Sequence, residues 1–273
     1  MSISLFMDGE SPMDQHDLKA KESVLDTDAT VKVTTISDIL DASVLPSQDD
    51  GFQLQPFVFP AGRAGAIAYM DNFLLPSFCD DLIQFCTKYE NSSFAGKTMG
   101  GVNYKFKVSR DWRMGGICSD AEFVDSENEF DKVIFSRLWK TLDNYKGSYP
   151  ALTSPDSADF CIVADTGYQI QKYLQNIGFY NAHIDGAPWV GSARDRTLGV
   201  VIYLNTVSDG GGTHFPLHQV TVEAVQGRIA IFPAYWTHLH EGLMPLSSDK
   251  WIVSTFVTAT VPTNSAVMGE CSC

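Results

Sequence analysis

The chain has 273 residues, 44% of them hydrophobic, and its 33 acidic and 19 basic residues leave a net charge of −14. That length and apolar content suffice for one large core that folds unaided. So acidic a balance argues against a sequence-independent grip on nucleic acid or on an anionic membrane surface, both of which need clustered Lys and Arg.

Residues 1–50 carry 11 acidic and 3 basic residues, an excess of 8 negative charges (11 − 3), with no Trp or Tyr and only Phe6. Such a segment buries too little apolar area to offset its chain entropy, so residues 1–55 are expected to form a disordered acidic arm. Within the arm, Ile36, Ile39, Leu40 and Val44 fall at helical intervals with Ser37 or Asp38 able to cap, which reads as a transient turn of helix. No basic region followed by an apolar run opens the chain, and no stretch of about 18 apolar residues occurs, so a soluble cytoplasmic protein is expected. Cys79, Cys86, Cys118, Cys161, Cys271 and Cys273 include no C-x-x-C pair and reduced thiols are expected, the alternative being oxidation of the last two in a flexible tail at 263–273.

The ordered body is expected over residues 56–262. Met70–Pro76 reads as strand and turn, after which Ser77 and Asp80 can start a helix that carries Phe78, Leu82, Phe85, Cys86 and Tyr89 on one stripe. Residues 100–108 alternate as a single strand would. A second helix begins at the capping box Ser126-x-x-Glu129, repeats Phe130, Val133, Ile134, Leu138, Leu142 and Tyr145 at three and four residues, and stops at Gly147 and Pro150.

From Phe160 the period changes to two. Short runs rich in Val, Ile, Tyr and Phe predict strands at 161–164, 168–173, 180–185, 197–204, 212–216, 219–223, 228–232, 236–240 and 251–258. Strands at this spacing make the chain mainly β with flanking helices, as a double-sheet jelly roll or a barrel, with the N-terminal helices packed on one outer face.

Within that region, His183-Ile-Asp185 sets a His and an Asp two residues apart, so that in an extended strand both aim at one point while Ile184 packs the other way. The run Trp236-Thr-His-Leu-His240 supplies a second imidazole, with His238 and His240 on one strand face. Two His and one carboxylate on one side of a metal leave the other side open, the arrangement that suits Fe(II) oxygenases. His214 and His218 are H-x-x-x-H among strand and turn residues with Pro216 between them, a poor zinc pair, and His16 lies in the acidic arm.

Further parts follow in order: Gln171-Lys-Tyr173, Arg196 opening the run to Tyr203-Leu-Asn, Gly210-Gly-Gly-Thr213-His-Phe-Pro216, Gly227 to Pro233, and His240 with Lys250 ten residues later. Over about 100 residues this series resembles the 2-oxoglutarate/Fe(II)-dependent dioxygenases, in particular the prolyl 4-hydroxylase-like branch, whose fold is the double-stranded β-helix or jelly roll. The resemblance implies that His183, Asp185 and His240 hold Fe(II), with His240 preferred over His238 because of its interval to Lys250 and the following Glu241-Gly242. It implies that Lys250 pairs with the distal carboxylate of 2-oxoglutarate, that Tyr173, Thr213 and Tyr203 line the same pocket, and that Tyr180 and Arg196 contact a peptide substrate. A strand-end arginine paired with Asp185 or Asp195 is the alternative reading of Arg196.

The implied reaction is hydroxylation of an unactivated C–H bond, of a prolyl or other residue in a peptide or protein, with O₂ consumed, succinate and CO₂ as co-products and ascorbate as a reductant. A free amino acid or small metabolite is the alternative substrate, and a non-catalytic jelly-roll binding module the alternative class. Two departures from the branch bear on the substrate: Gly212 stands where its Gly-Gly-Glu-Thr signature has Glu, and Phe256 where many members have Trp.

Overall fold

The computed structural model describes residues 52–114, 129–149, 161–187 and 196–260. The helical patch at 31–45, the Ser126 cap, His16, Cys118, Cys271, Cys273 and most of the 185–196 loop lie outside the described residues.

Phe52 packs edge-on against Phe73 at 6.1 Å, and β1 (Ala68–Met70) leads through a turn to α1 (Pro76–Lys88). Pro76 opens the helix, where its missing N–H leaves no bond unmade, and Leu75 stands at the N-cap with no side-chain bond. The helix therefore starts on Pro76 and not on a cap from Ser77 or Asp80. Phe78, Cys79, Leu82, Phe85 and Cys86 form its buried stripe, and burial pushes both thiols up to about 12, which keeps them unreactive.

Five short strands follow: β2 (Phe94–Ala95), β3 (Lys97–Thr98), β4 (Gly101–Val102), β5 (Lys107–Val108) and β6 (Arg110–Met114). The single strand expected over 100–108 is broken at Asn103. Its Oδ1 accepts from the Lys105 N–H at 3.1 Å and its carbonyl from the Phe106 and Lys107 N–H groups, an Asx-type turn that redirects the chain. As a result β4 pairs with β3, while β5 joins a different sheet. Next comes α2 (Glu129–Gly147), which buries Phe130, Ile134, Leu138, Leu142 and Tyr145 as their spacing predicts and ends at Gly147.

The remaining strands are β7 (Cys161–Asp165), β8 (Tyr168–Tyr173), β9 (Phe179–His183), β10 (Arg196–Tyr203), β11 (Thr213–Phe215), β12 (Val220–Val222), β13 (Ile229–Pro233), β14 (His240–Gly242) and β15 (Lys250–Thr260). All pairings are antiparallel. The major sheet runs β1-β13-β10-β15-β8-β6-β2, with β7 also on β15, and the minor sheet runs β12-β11-β14-β9-β5. These two sheets face each other as a jelly roll.

Both faces of the major sheet are apolar, each in its own register. Leu198, Val200, Ile202, Ile229, Ile231, Val253 and Val257 point outward into one cluster with the stripes of α1 and α2, while Tyr203, Ala230, Phe232 and Ile252 point inward against Phe215 and Val222 of the minor sheet. Each Val, Leu, Ile or Phe among them, fully buried, contributes about 1.5–3 kcal/mol of transfer free energy. The helices thus cover the outer face, as expected, and leave the interior of the sandwich for the site.

The strand expected at 236–240 begins late. Trp236–His238 is a 3-10 turn, closed by the His238 N–H on the Tyr235 carbonyl at 2.8 Å, and the strand resumes only at His240. The reason lies in a distant partner, since the His238 ring is drawn to the Gly65 carbonyl (Nε2 to O 2.7 Å) and stacks on His218 at 4.6 Å. Tyr145 of α2 and Tyr149 just beyond its end donate to the carbonyls of Ala66 and Arg63, so with His238 three side chains latch one short turn onto the body. Among the described residues, no helix is long and apolar enough to cross a membrane.

Candidate active site

His183 closes β9, Asp185 follows two residues later, and His240 opens β14 as the cross-strand partner of His183. Antiparallel pairing brings the imidazoles together, with centroids 4.3 Å apart, and the Asp185 backbone is held by its N–H on the Ala234 carbonyl at 3.1 Å. One donor atom from each residue lies within 4.8 Å of the others. Asp185 reaches His183 Nε2 with Oδ1 at 3.5 Å and His240 Nε2 with Oδ2 at 3.4 Å.

Ring orientation is fixed from behind. His183 Nδ1–H donates to the Asn181 carbonyl at 2.8 Å and His240 Nδ1–H to the His238 carbonyl at 3.0 Å. Since a carbonyl only accepts, each Nδ1 carries the proton and each Nε2 presents a lone pair to the common point. Burial drives the His240 imidazole down to about 4 despite the opposing pull of Asp185, so it is neutral near pH 7. Burial pushes the Asp185 carboxyl up, but His240, His183 and Arg196 outweigh that effect and hold it below the usual carboxylate range. Two imidazoles and one carboxylate fit a divalent first-row cation with positions left open.

Gly199 of β10 lies against this carboxylate. A Cβ there would stand 2.6 Å from Phe232 Cε2 and 2.8 Å from Asp185 Oδ2, so β10 can run behind the site only as glycine. Gly199→Ala is expected to displace Asp185 and weaken Fe(II) binding by about 10- to 100-fold, the range for disturbing groups that orient ligands. Anaerobic titration checks this, and unchanged affinity would mean that Phe232 alone gives way.

The pocket beside the triad is lined by Gln171, Tyr173, Tyr180, Val201, Thr213, Gly242, Lys250, Ile252, Ser254 and Phe256. Lys250 is 2% exposed, on the inner face of β15 opposite Tyr173. Its Nζ lies 5.1 Å from the Tyr173 ring and 5.9 Å from the Tyr203 ring, and no carboxylate among the described residues pairs with it. Burial alone brings this ammonium down to about 7.

The expected pocket residues divide by position. Tyr173 lines the pocket, but its hydroxyl donates to Gln171 Oε1 at 2.6 Å, and Gln171 Nε2 in turn donates to Ser254 Oγ at 2.8 Å. Thr213 lines the pocket; Tyr203 stands behind it, fully buried, with its hydroxyl between Thr213 Oγ1 (2.7 Å) and the Val222 carbonyl (3.1 Å). Gln171 stands in the sequence motif with Tyr173 but is given no role there, and Ser254 is not singled out at all, although both fall on the inward register set by Tyr173 and Lys250. Arg196 donates from Nη1 to the Asp185 carbonyl at 3.2 Å and lies over the Phe256 ring at 3.8 Å, so the part of the arginine seen here braces the carboxylate's own backbone.

Tyr180 lies flat on the His183 ring, 3.6 Å between centroids and 16° between planes. His238, the rival third donor, is turned away to Gly65. His214 bonds Thr221 at 2.9 Å, and neither it nor His218 joins the triad.

Comparison with known proteins places this geometry. Residues 168–258 match the family described as 2OG-Fe(II) oxygenase superfamily, a span holding all three donors and Lys250. No curated protein matches the sequence. Among solved structures, a prolyl hydroxylase from Trichoplax adhaerens, in complex with a hypoxia inducible factor oxygen degradation domain peptide fragment, is 14% identical with a TM-score of 0.53, covering 90% of this chain and 94% of its own. The viral collagen prolyl hydroxylase of Paramecium Bursaria Chlorella virus-1, in its 2OG complex, is 20% identical with a TM-score of 0.50 over 71% of this chain and 95% of its own. A Pseudomonas putida prolyl-4-hydroxylase is 15% identical, with a TM-score of 0.50 over 71% and 93%.

Proposed function

We propose, from the match of residues 168–258 to the 2OG-Fe(II) oxygenase superfamily, that this chain is a dioxygenase which hydroxylates a residue within a peptide or protein, with proline the first candidate. The oxygenase domain in this reading spans residues 56–262, between the acidic arm and the tail.

Lys250 carries the reading. An amine enclosed this completely, with no carboxylate beside it among the described residues, holds its charge best when an anion arrives. A dicarboxylic 2-oxo acid answers both halves of the pocket, with one carboxylate on Lys250 and Thr213 and the other end reaching the metal. His183, Asp185 and His240 would hold Fe(II), which with 2-oxoglutarate bound supplies the dioxygen activation that an unactivated C–H bond demands. Ascorbate would keep that iron ferrous.

The chain's own part is orientation and exclusion of water. Ile252, Val201 and Phe256 give the pocket an apolar wall that keeps bulk water from the reacting centre. Tyr180 and Arg196, at the edge of the triad, would orient the substrate and set its C–H bond beside the metal's open side. The peptide held by the Trichoplax relative supports an extended substrate over a free amino acid.

The test is anaerobic addition of Fe(II) and 2-oxoglutarate to metal-free protein, followed by oxygen and proline-containing peptides. A weak visible charge-transfer band, and then succinate release that peptides stimulate and free proline does not, is the expected result. Stoichiometric iron binding without the band would turn the protein into a metal-holding binding module.

A further inference from the structure

Deep between the sheets, outside the triad and the pocket lining, lies a second charged group. Lys107 Nζ is 2.9 Å from Asp111 Oδ2, the two side chains being 2% and 0% exposed. Asp111 also accepts from Ser109 Oγ at 2.7 Å and Gln169 Nε2 at 2.5 Å, and Gly96 backs onto the cluster so closely that a Cβ would stand 3.1 Å from Lys107 Cε. Buried ion pairs rarely add net stability over apolar residues of the same shape, so this one calls for another reason.

The geometry points to a positioning role: we propose that the Lys107–Asp111 pair, acting through Tyr180, fixes the ring of the candidate metal ligand His183. Lys107 faces Tyr180 across the β5–β9 pairing, and its Nζ lies 5.1 Å from the centre of the Tyr180 ring. That ring is stacked on His183, and Phe106 closes its edge at 5.9 Å and 78°. Tyr180 and His183 are three residues apart, a separation that would send them to opposite faces of a regular strand. Here Tyr180 pairs with Gly242 and His183 with His240, three residues against two, and this bulge turns both rings to one side.

The bulge is itself held by the neighbouring segment. The Asn181 N–H donates to the Phe106 carbonyl at 2.9 Å and Asn181 Nδ2 to the Lys105 carbonyl at 3.0 Å, while the Asn181 carbonyl accepts from His183 Nδ1. Residues 105–107 therefore reach His183 by two routes, one through backbone and one through a stacked ring. Asp111, in register with Gln171 on the major sheet, anchors the ammonium that ends the second route.

The inference rests on the metal-site reading, and Co(II) binding to the full-length apo protein separates the two. The double variant Lys107→Met/Asp111→Asn removes both charges, so no lone charge is left buried. We expect it to melt close to the wild type while Co(II) affinity falls about tenfold and the visible d–d bands change in position and intensity. Tyr180→Leu should reproduce that change, and Tyr180→Phe, which keeps the stacked ring, should not. A pair that only stabilises the fold would move the melting temperature and leave affinity and bands alone, which overturns the proposal. Should the double variant not fold, wild-type bands in Tyr180→Leu overturn it equally. Absence of Co(II) binding by the wild type would overturn the metal site itself and this inference with it.

Discussion

Asp185→Ala is expected to lose Fe(II) affinity by more than about 100-fold and turnover by more than about 1,000-fold. Among the described residues, this carboxylate is the one anionic donor within reach of both imidazoles, at 3.5 and 3.4 Å from their Nε2 atoms. Without it, two imidazoles hold a dication whose charge no other described donor offsets. Disturbing groups that merely orient ligands already costs 10- to 100-fold, and a ligand should cost more. Asp185→Asn is the sharper probe, since it preserves shape and one donor oxygen while removing the charge. Anaerobic calorimetry with Fe(II) gives the affinity and succinate release the turnover; affinity within threefold of the wild type would take Asp185 out of the donor set.

Lys250→Met should move stability and binding in opposite directions. Burial holds the folded-state Lys250 at about 7, against an ordinary value of 10.5. Between those pH values the unfolded chain keeps the proton and the folded one has lost it, so stability rises with pH across the window. Below pH 7 the folded protein bears the full penalty of an enclosed ammonium. Methionine removes it, and the apo variant should melt about 5 °C higher at pH 6.5, with the gain fading as pH approaches 10. The same change deletes a charge-assisted contact, so 2-oxoglutarate affinity should fall about 100- to 1,000-fold.

In the wild type, binding above pH 7 requires the lysine to take up a proton, so the dissociation constant for 2-oxoglutarate should rise up to about tenfold per pH unit. Lys250→Arg, charged throughout, should lose that dependence. Thermal melts and ligand titrations at several pH values check both halves. A Lys250→Met protein that melts lower than the wild type and binds 2-oxoglutarate normally would make Lys250 a packing residue.

The parts of this molecule legible in its sequence are those set by local periodicity. The stripes Phe78–Leu82–Phe85 and Phe130–Ile134–Leu138 locate the helices, and the alternation from Tyr168 onward assigns inner and outer residues of β8, β10, β13 and β15. His183 and Asp185 were visible for the same reason, two residues being one period of an extended chain. What stayed hidden depends on partners far away in the chain. The turn at 236–238 follows from Gly65, 173 residues from His238, and the bulge after Tyr180 from the register of β14. Lys107 and Asp111 look like ordinary strand charges until two sheets close around them.

Strand order has a consequence for how the protein is made. β15, among the last elements in the chain, lies at the centre of the major sheet, paired with β10, β8 and β7. During synthesis at some 5–20 residues per second, β8 and β10 leave the ribosome tens of residues ahead of the strand that will join them. Until residues 250–260 emerge, the nascent chain carries two unsatisfied hydrophobic edges and a candidate site without Lys250. Folding of this sheet therefore waits on residues 250–260 and is open until then to edge-to-edge aggregation, the interval in which a chaperone would matter most.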